Sequence, residues 1–185
     1  MSGILELVGN TPLVELRKIP VNKKVTIYGK LEGNNPGGSV KDRAAYGMIK
    51  GAIDRGEIAE GITLIEATSG NTGIALAMIA SLFGVPIELV MPEDATRERV
   101  SAMEAFGAKV ILTPKAGSME GAIDYANAQV ARGGYLMLNQ FATRITQPCI
   151  TKQPALKYGR IPKVRSRILY LPWGLQALLW AYLNT

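Results

Sequence analysis

The sequence predicts an α/β fold, an open and mostly parallel β-sheet with helices on its faces. Short apolar runs typical of strands alternate along the chain with segments of helical length, which is the order that βαβ units require. The apolar runs also suit strands that are buried on both faces, as they are in a parallel sheet covered by helices. The hydrophobic content of 48% places the chain among globular proteins rather than disordered ones.

The predicted elements follow one another from residue 10 to residue 138. After an extended start at residues 10–14, Val25 to Leu31 alternates apolar and polar residues and predicts a strand. A glycine-rich run then leads into a helix from about Val40 to Asp54, and Gly56 is a plausible helix stop. Further strands are predicted at residues 62–67, 86–91, 109–112 and 135–138, and further helices at residues 74–83, 96–106 and 119–132.

Lys41 is the first candidate functional residue. The run from Gly33 forms turns and ends at Ser39, a good N-cap, which would place Lys41 in the first turn of the following helix. The positive end of the helix dipole disfavours a cation at that place, and a neutral lysine amine is a nucleophile. A solvated surface lysine is the alternative interpretation, and the neighbouring motifs have to decide between the two.

The segment Thr68–Gly73 links a predicted strand to a predicted helix and is the second candidate. Its glycines let the backbone approach a ligand closely, and the N–H groups and hydroxyls at a helix N-terminus suit a carboxylate or phosphate. An ordinary capped turn is the alternative, and the P-loop spacing is absent. Ligands of open parallel sheets bind at the carboxyl ends of the strands. Lys41, this turn and Asn139–Gln140 could therefore converge on one crevice.

The composition excludes several classes of protein. The chain has no histidine, which removes Ser-His and Cys-His catalytic pairs and histidine-based metal sites. Cys149 is the only cysteine, so an internal disulfide is impossible. No signal peptide and no membrane-spanning run is visible. We therefore expect a cytoplasmic protein with no bound metal and no membrane partner.

The charge pattern divides the chain near Ala142. Residues 1–142 carry 14 basic and 15 acidic side chains, whereas residues 143–185 carry seven basic and no acidic ones, together with both tryptophans. A true basic tail could bind RNA or anionic lipid, and Leu169 to Leu183 could form an apolar helix. Because the tail lacks the motifs of a nucleic-acid-binding module, we expect no nucleic-acid partner.

Four segments of the chain resemble the fold-type II pyridoxal-phosphate enzymes. Within that family they are most similar to the cysteine synthases of the B type, which are O-acetylserine sulfhydrylases. The resemblance covers about residues 5–142 and implies the fold of the family's N-terminal half, with pyridoxal 5'-phosphate as the cofactor. The segments are Gly9–Val14, Glu32–Arg43, Glu66–Ala75 and Leu138–Phe141.

The resemblance also implies a role for each matching side chain. Lys41 is similar to the lysine that holds pyridoxal phosphate covalently and moves the α-proton of the substrate. Asn71 is similar to the asparagine that hydrogen-bonds the ring hydroxyl oxygen of the cofactor. The residues implied to contact the substrate carboxylate are Thr68, Ser69, Thr72 and Gln140.

The implied reaction is a β-replacement that forms cysteine. O-acetylserine would lose its α-proton and then acetate, and sulfide or thiosulfate would add in its place. Pyridoxal phosphate would act as the electron sink, while the protein supplies orientation. The intact members of the family are usually homodimers, so the resemblance also implies a homodimer.

The resemblance ends at Ala142, and a shifted reading frame explains the residues that follow. In the family, a segment rich in asparagine and proline comes next, and later a glycine loop that holds the cofactor phosphate. When residues 143–185 are back-translated and read from the third base of each codon, the permitted codons spell ANPDNPAMHYKTTGPEIW and then ITHFVSSMGTTGTIMG. We therefore expect a one-base deletion just after the Ala142 codon, which gives a frameshifted and prematurely ended product.

Three segments are expected from this interpretation. Residues 1–38 would join the larger domain of the family, residues 39–142 would form the small α/β domain, and residues 143–185 would be an aberrant basic tail. Because the larger domain would be truncated, residues 1–36 would lack a sheet partner. For the same reason, pyridoxal phosphate would bind weakly or not at all. A catalytically silent remnant and another β-replacing or β-eliminating enzyme of this family are the alternatives.

Overall fold

The structure is a computed structural model that describes residues 3–18, 25–138, 167–169 and 177–183. The chain divides into two compact units, each with its own β-sheet. Unit 1 consists of Met1–Val40 and Gln147–Thr185, and unit 2 consists of Lys41–Thr146. No described helix is both long enough and apolar enough to cross a membrane.

The helices and strands of the described residues alternate through most of the chain. The helices are α1 (Ile4–Leu7), α2 (Lys41–Asp54), α3 (Asn71–Phe83), α4 (Arg97–Ala105) and α5 (Ser118–Arg132). The strands are β1 (Leu13–Glu15), β2 (Val25–Leu31), β3 (Thr63–Ala67), β4 (Ile87–Pro92), β5 (Lys109–Thr113), β6 (Tyr135–Leu136), β7 (Arg167–Leu169) and β8 (Ala177–Leu183).

The sheet of unit 2 is parallel, with the strand order β5-β4-β3-β6. Along the chain, β3, β4 and β5 are laid down in one direction, and β6 is then added on the other side of β3. Because βαβ crossovers are right-handed, α3 and α4 cover one face of the sheet and α5 covers the other. The predicted α/β fold with a parallel sheet and flanking helices is confirmed.

The core of unit 2 lies on both faces of this sheet. On the α5 face, Ile65 of β3 and Val90 of β4 pack against Ala122 and Ala126 of α5, and all four side chains are fully buried. On the other face, residues 75–80 of α3 are buried, so this helix is enclosed by protein on nearly every side. The small alanines of these helices allow the close approach of helix to sheet that such burial requires.

Unit 1 has an antiparallel sheet with the strand order β1-β2-β8-β7. Leu13 of β1 pairs with Lys30 of β2, and β2 pairs along its whole length with β8, from Val25 opposite Leu183 to Leu31 opposite Ala177. The expectation that the N-terminal residues would lack a sheet partner is therefore wrong for β2. The apolar helix considered for the tail is also wrong at Ala177–Leu183, which form a strand.

Candidate functional site

The Thr68–Gly73 turn, which follows β3 and includes the start of α3, carries four of the predicted site residues: Thr68, Ser69, Asn71 and Thr72. The backbone N–H of Thr68 donates to the carbonyl of Val90 at 3.0 Å, so pairing with β4 continues one residue beyond β3. The chain then turns at Gly70, whose extended backbone (φ −119°, ψ −159°) makes it the N-cap of α3. Its carbonyl accepts hydrogen bonds from the N–H groups of Gly73 at 2.9 Å and Ile74 at 3.4 Å.

This turn has a buried part and an open part. Thr68 and Thr72 are buried, Ser69 is half-buried and Asn71 is exposed. A Cβ added at Gly70 would meet no atom within 4 Å, so the space in front of the turn is open. The N-terminus of a helix of 13 residues attracts anions through its dipole and its backbone N–H groups. Ser69, Gly70 and Asn71 therefore form a surface that could hold a carboxylate.

Lys41 is the first residue of α2, within one residue of the predicted helix start. Its side chain is exposed, whereas the next two residues of the helix are buried. The helix packs against α3 through a buried face that includes Ala45, Met48 and Ile49. Because α2 and α3 belong to the same packed unit, the lysine and the turn are both held by rigid helices.

The strand order gives a physical reason for a ligand site at the end of β3. The connection that leaves β3 contains α3, and the connection that arrives at β6 contains α5. These two connections lie on opposite faces of the sheet, although β3 and β6 are neighbouring strands. Such a reversal opens a crevice at the carboxyl ends of the two strands, where ligands of open α/β sheets bind. The turn that begins at Thr68 lies at this edge. Gln140 was predicted to join it, but it lies outside the described residues.

A network of buried polar groups in unit 1 was not predicted from the sequence. Thr11 Oγ1 donates to Glu32 Oε1 at 2.8 Å, and Asn35 Nδ2 donates to Glu32 Oε2 at 2.9 Å. The backbone N–H of Gly9 donates to Asn35 Oδ1 at 2.8 Å. Lys30 Nζ donates to the carbonyl of Thr11. Burial of Lys30 and Glu32, with 2% and 0% exposure, is possible because each makes such bonds.

The network joins two of the segments that carried the resemblance, Gly9–Val14 and Glu32–Arg43. The resemblance gave Thr11, Glu32 and Asn35 no role, and the structure shows that they link β1, β2 and the turn after β2. The signal available in the sequence was the cluster of short polar residues beside two strands. That cluster did not reveal which residues would pair.

A second polar cluster lies at the opposite edge of the unit 2 sheet, where β4, β5 and β6 begin. Lys109 Nζ donates to Glu88 Oε1 at 2.7 Å, and this hydrogen bond and the charge of Glu88 raise the pKa of Lys109. Burial and the neighbouring carboxylate of Glu88 raise the pKa of the Tyr135 phenol. The shifts thus follow from an ion pair that links neighbouring strands and, for Tyr135, from burial. The cluster lies at the edge of the sheet away from Thr68.

Comparison with known proteins defines the class. Residues 4–151 match the family described as pyridoxal-phosphate dependent enzyme. The chain therefore belongs to the pyridoxal-phosphate-dependent enzyme family, which confirms the family and the cofactor that the sequence predicted.

The curated relatives narrow the resemblance within this family. The chain is 54% identical over 141 residues to cysteine synthase B of Salmonella typhimurium, a match that covers 76% of this chain and 46% of that protein. It is 53% identical over 139 residues to cysteine synthase B of Pseudomonas syringae, covering 75% of this chain and 82% of that one. The chain thus spans about half the length of the Salmonella relative.

Solved structures give the same fold. Cysteine synthase of Entamoeba histolytica superposes with a TM-score of 0.74 at 39% identity, covering 80% of this chain and 46% of that one. O-ureido-L-serine synthase superposes with a TM-score of 0.76 at 33% identity, covering 85% of this chain and 50% of that one. Both matches cover about half of the solved chain.

Proposed function

We propose that residues 5–142 are the part of a cysteine synthase that holds pyridoxal phosphate at Lys41 and the amino-acid substrate at the Thr68–Gly73 turn. The proposed reaction replaces the acetate of O-acetylserine by sulfide, which gives cysteine, or by thiosulfate, which gives S-sulfocysteine. One observation carries the proposal. An anion-attracting turn with an open front lies at the start of α3, and the helix packed against α3 begins with an exposed lysine.

The residues present fit the cofactor in part. Lys41 would hold the cofactor aldehyde and exchange a proton with the substrate α-carbon, and the exposed amide of Asn71 would donate to the ring hydroxyl. When bound, pyridoxal phosphate supplies an electron sink for the carbanion formed at that carbon. The substrate carboxylate would be held by backbone N–H groups of the turn together with the side chains of Thr68, Ser69, Thr72 and Gln140.

We further propose that residues 143–185 are encoded in a shifted reading frame. The change in charge at Ala142 and the uninterrupted family-like sequence in the alternative frame support this. The phosphate loop of the family would lie in the displaced part, and a phosphate dianion needs several donors. The chain is therefore proposed to bind pyridoxal phosphate weakly and to be impaired as a catalyst. Sequencing the gene across the Ala142 codon tests this, and an intact frame matching this protein would refute it.

Other β-replacing enzymes of the family are the second candidate. A relative that is 45% identical over 126 residues is named O-acetylserine dependent cystathionine beta-synthase, and a structural relative is O-ureido-L-serine synthase. The first name includes O-acetylserine, and the second names another serine derivative, O-ureido-L-serine. Mass spectrometry of the amino acid formed separates the candidates. Cysteine or S-sulfocysteine supports the cysteine synthase proposal, and no product from any donor supports a silent remnant.

We propose the oligomeric state and the cellular location from the similarity to cysteine synthases. An intact protein of this lineage would be a homodimer in the cytoplasm, with small-molecule substrates and no nucleic-acid or membrane partner. Sedimentation of the restored-frame protein, made from the gene with one base inserted after the Ala142 codon, tests the homodimer. A monomer at the concentrations used for assay would contradict it.

A cofactor titration tests the proposed function directly. Pyridoxal phosphate is added to the present chain and to the restored-frame protein, and the visible absorption of the lysine-bound cofactor is followed. We expect a saturable band in the restored-frame protein, a weak or absent band in the present chain, and loss of the band in Lys41→Ala. Lys50→Ala is the matched control, because Lys50 lies on the same helix in an exposed ion pair with Asp54. A strong band in the present chain would overturn the proposed impairment.

A further inference from the structure

Gly73 lies directly against the side chain of Met103. A Cβ added at Gly73 would lie 2.6 Å from Met103 Cε, 3.1 Å from Met103 Sδ and 3.1 Å from Thr68 Cγ2. Carbon atoms that are not bonded pack at about 3.5–4.0 Å, so no side chain fits at position 73 while Met103 keeps its place. The sequence suggested that this glycine lets the backbone approach a ligand, but the structure gives it a different reason.

Met103 approaches the turn from within the protein. It lies on α4, its side chain has 0% exposure, and α4 packs against α3. Beside Gly73, in the first turn of α3, the space is filled by the side chain of Met103 and by the methyl group of Thr68 from the strand end of the turn. Met103 therefore packs against the helix end of the turn.

The two glycines of the turn thus have different surroundings. An added Cβ would meet nothing within 4 Å at Gly70 and would collide with Met103 at Gly73. The turn is thus open beside Gly70 and closed by Met103 beside Gly73. A support of this kind lies behind the donors of a binding turn and sets their direction without touching the ligand.

We propose that Met103 is a positioning residue for the Thr68–Gly73 turn, acting through its packing against Gly73. The inference rests on the proposed function, in which this turn holds the substrate carboxylate. Donors that are misplaced by as little as an ångström lose much of their effect on a bound group. Shortening Met103 removes the support, so the turn is expected to open more often and its N–H groups to lose their common direction.

Amide hydrogen exchange in the full chain tests the support without any ligand. In Met103→Ala we expect the backbone amides of residues 69–71 to exchange about tenfold faster, because local opening of the turn becomes easier. Met48→Ala is the matched control, since Met48 is a methionine on α2 with 1% exposure. It should lower the overall stability comparably and leave exchange at residues 69–71 unchanged. Equal effects of both variants on the turn would overturn the proposal.

A pair of substitutions tests the direct contact. Gly73→Ala should displace the turn and shift the amide resonances of residues 68–72. A double variant that also carries Met103→Ala should return these resonances to their original positions, because it removes the atoms with which the new Cβ collides. Gly121→Ala on α5 is the control glycine, since an added Cβ there meets nothing within 4 Å. Failure of the double variant to restore the resonances would overturn the proposal, and if Gly73→Ala does not fold, the exchange result decides.

A titration with O-acetyl-L-serine separates this inference from the proposed function. If the ligand shifts the amide resonances of residues 69–71 in the original chain and less in Met103→Ala, both stand. If the ligand shifts nothing while Met103→Ala still changes exchange at the turn, the carboxylate role fails and the positioning role remains. If the ligand shifts these resonances equally in both proteins, the positioning role fails alone.

Discussion

Thr11 Oγ1 donates a 2.8 Å hydrogen bond to Glu32 Oε1, and both side chains are buried. This contact joins the residues just before β1 to the residues just after β2, and it directs the hydroxyl of Thr11 towards a carboxylate with 0% exposure. Buried charged groups are tolerated only where hydrogen bonds replace those lost from water. The Thr11–Glu32 pair is therefore part of what holds unit 1 together.

Thr11→Val should destabilise the protein measurably. The substitution keeps the shape of the side chain and removes one donor from a buried carboxylate, which costs about 1–3 kcal/mol. Urea unfolding followed by circular dichroism measures the loss. Thr96→Val is the matched control, because Thr96 is exposed and its side chain makes no capping hydrogen bond to α4. Equal stability of the two variants would contradict the role assigned to Thr11.

Ser118→Gly should stabilise the protein. Ser118 has a φ of 43° and a ψ of −150°, a backbone conformation that glycine adopts far more easily than serine. The strain energy removed from the folded state is expected to exceed the entropy that glycine adds to the unfolded chain. We therefore expect the free energy of unfolding to rise by about 1 kcal/mol.

The control for Ser118 should change stability in the opposite direction. Ser101 lies inside α4 and is exposed, and Ser101→Gly should destabilise the helix by about 0.5 kcal/mol, since glycine is a poorer helix former. Thermal unfolding of both variants checks the signs. A loss of stability in Ser118→Gly would show that this backbone conformation is not strained.

The cluster of Glu88, Lys109 and Tyr135 predicts a loss of stability at alkaline pH. The folded state raises the pKa of Lys109 above 10.5 through the Glu88 hydrogen bond, and burial raises the pKa of Tyr135 above 10.0. A group whose pKa is raised on folding contributes stability that is complete below its unfolded pKa and is lost as the pH rises through its folded pKa. Stability should therefore be constant near neutral pH and fall above about pH 10.

Lys109→Met tests the lysine part of this pH dependence. The variant should be less stable than the original protein at pH 8, and the difference should shrink as the pH approaches 11. Lys115→Met, at an exposed lysine beyond the end of β5, should show no such convergence. Urea unfolding at four pH values measures both. A difference that stays constant with pH would contradict the role of the ion pair.

Local patterns in the sequence predicted most of the secondary structure. The strand Val25–Leu31 was predicted with its observed bounds, and α2 and β5 within a residue, because apolar periodicity and glycine stops are local signals. Helix α3 begins at Asn71 rather than Ile74. A glycine-rich segment was interpreted as turn throughout, although Gly70 alone provides the change of direction and the residues after it are helical.

Contacts between distant residues were beyond the reach of those patterns. Lys30 occupies a polar position of an alternating strand, yet its side chain is buried and its amine donates to the Thr11 carbonyl. Met103 and Gly73 are separated by most of two helices and a strand, so only the fold brings them together. The pairing of β2 with β8 likewise depends on residues at opposite ends of the chain.

The site was predicted only where short motifs carry its chemistry. The Thr68–Gly73 turn and Lys41 belong to such motifs, and the structure places the turn at the carboxyl edge of a parallel sheet, as expected. Met103, Thr11 and Asn35 carry no reactive group, and the packing and hydrogen bonds that they make form only in three dimensions. Sequence patterns therefore identify candidate reacting groups more readily than residues whose contacts depend on the fold.

Covalent attachment of pyridoxal phosphate is the sharpest test of the role proposed for Lys41. The restored-frame protein is incubated with the cofactor and treated with borohydride, which makes the bond between lysine and cofactor permanent, and the peptides are then identified by mass spectrometry. We expect a pyridoxyl group on Lys41 and none on Lys50, with much less label in the present chain. Absence of label from Lys41, or equal labelling of the two lysines, would contradict it.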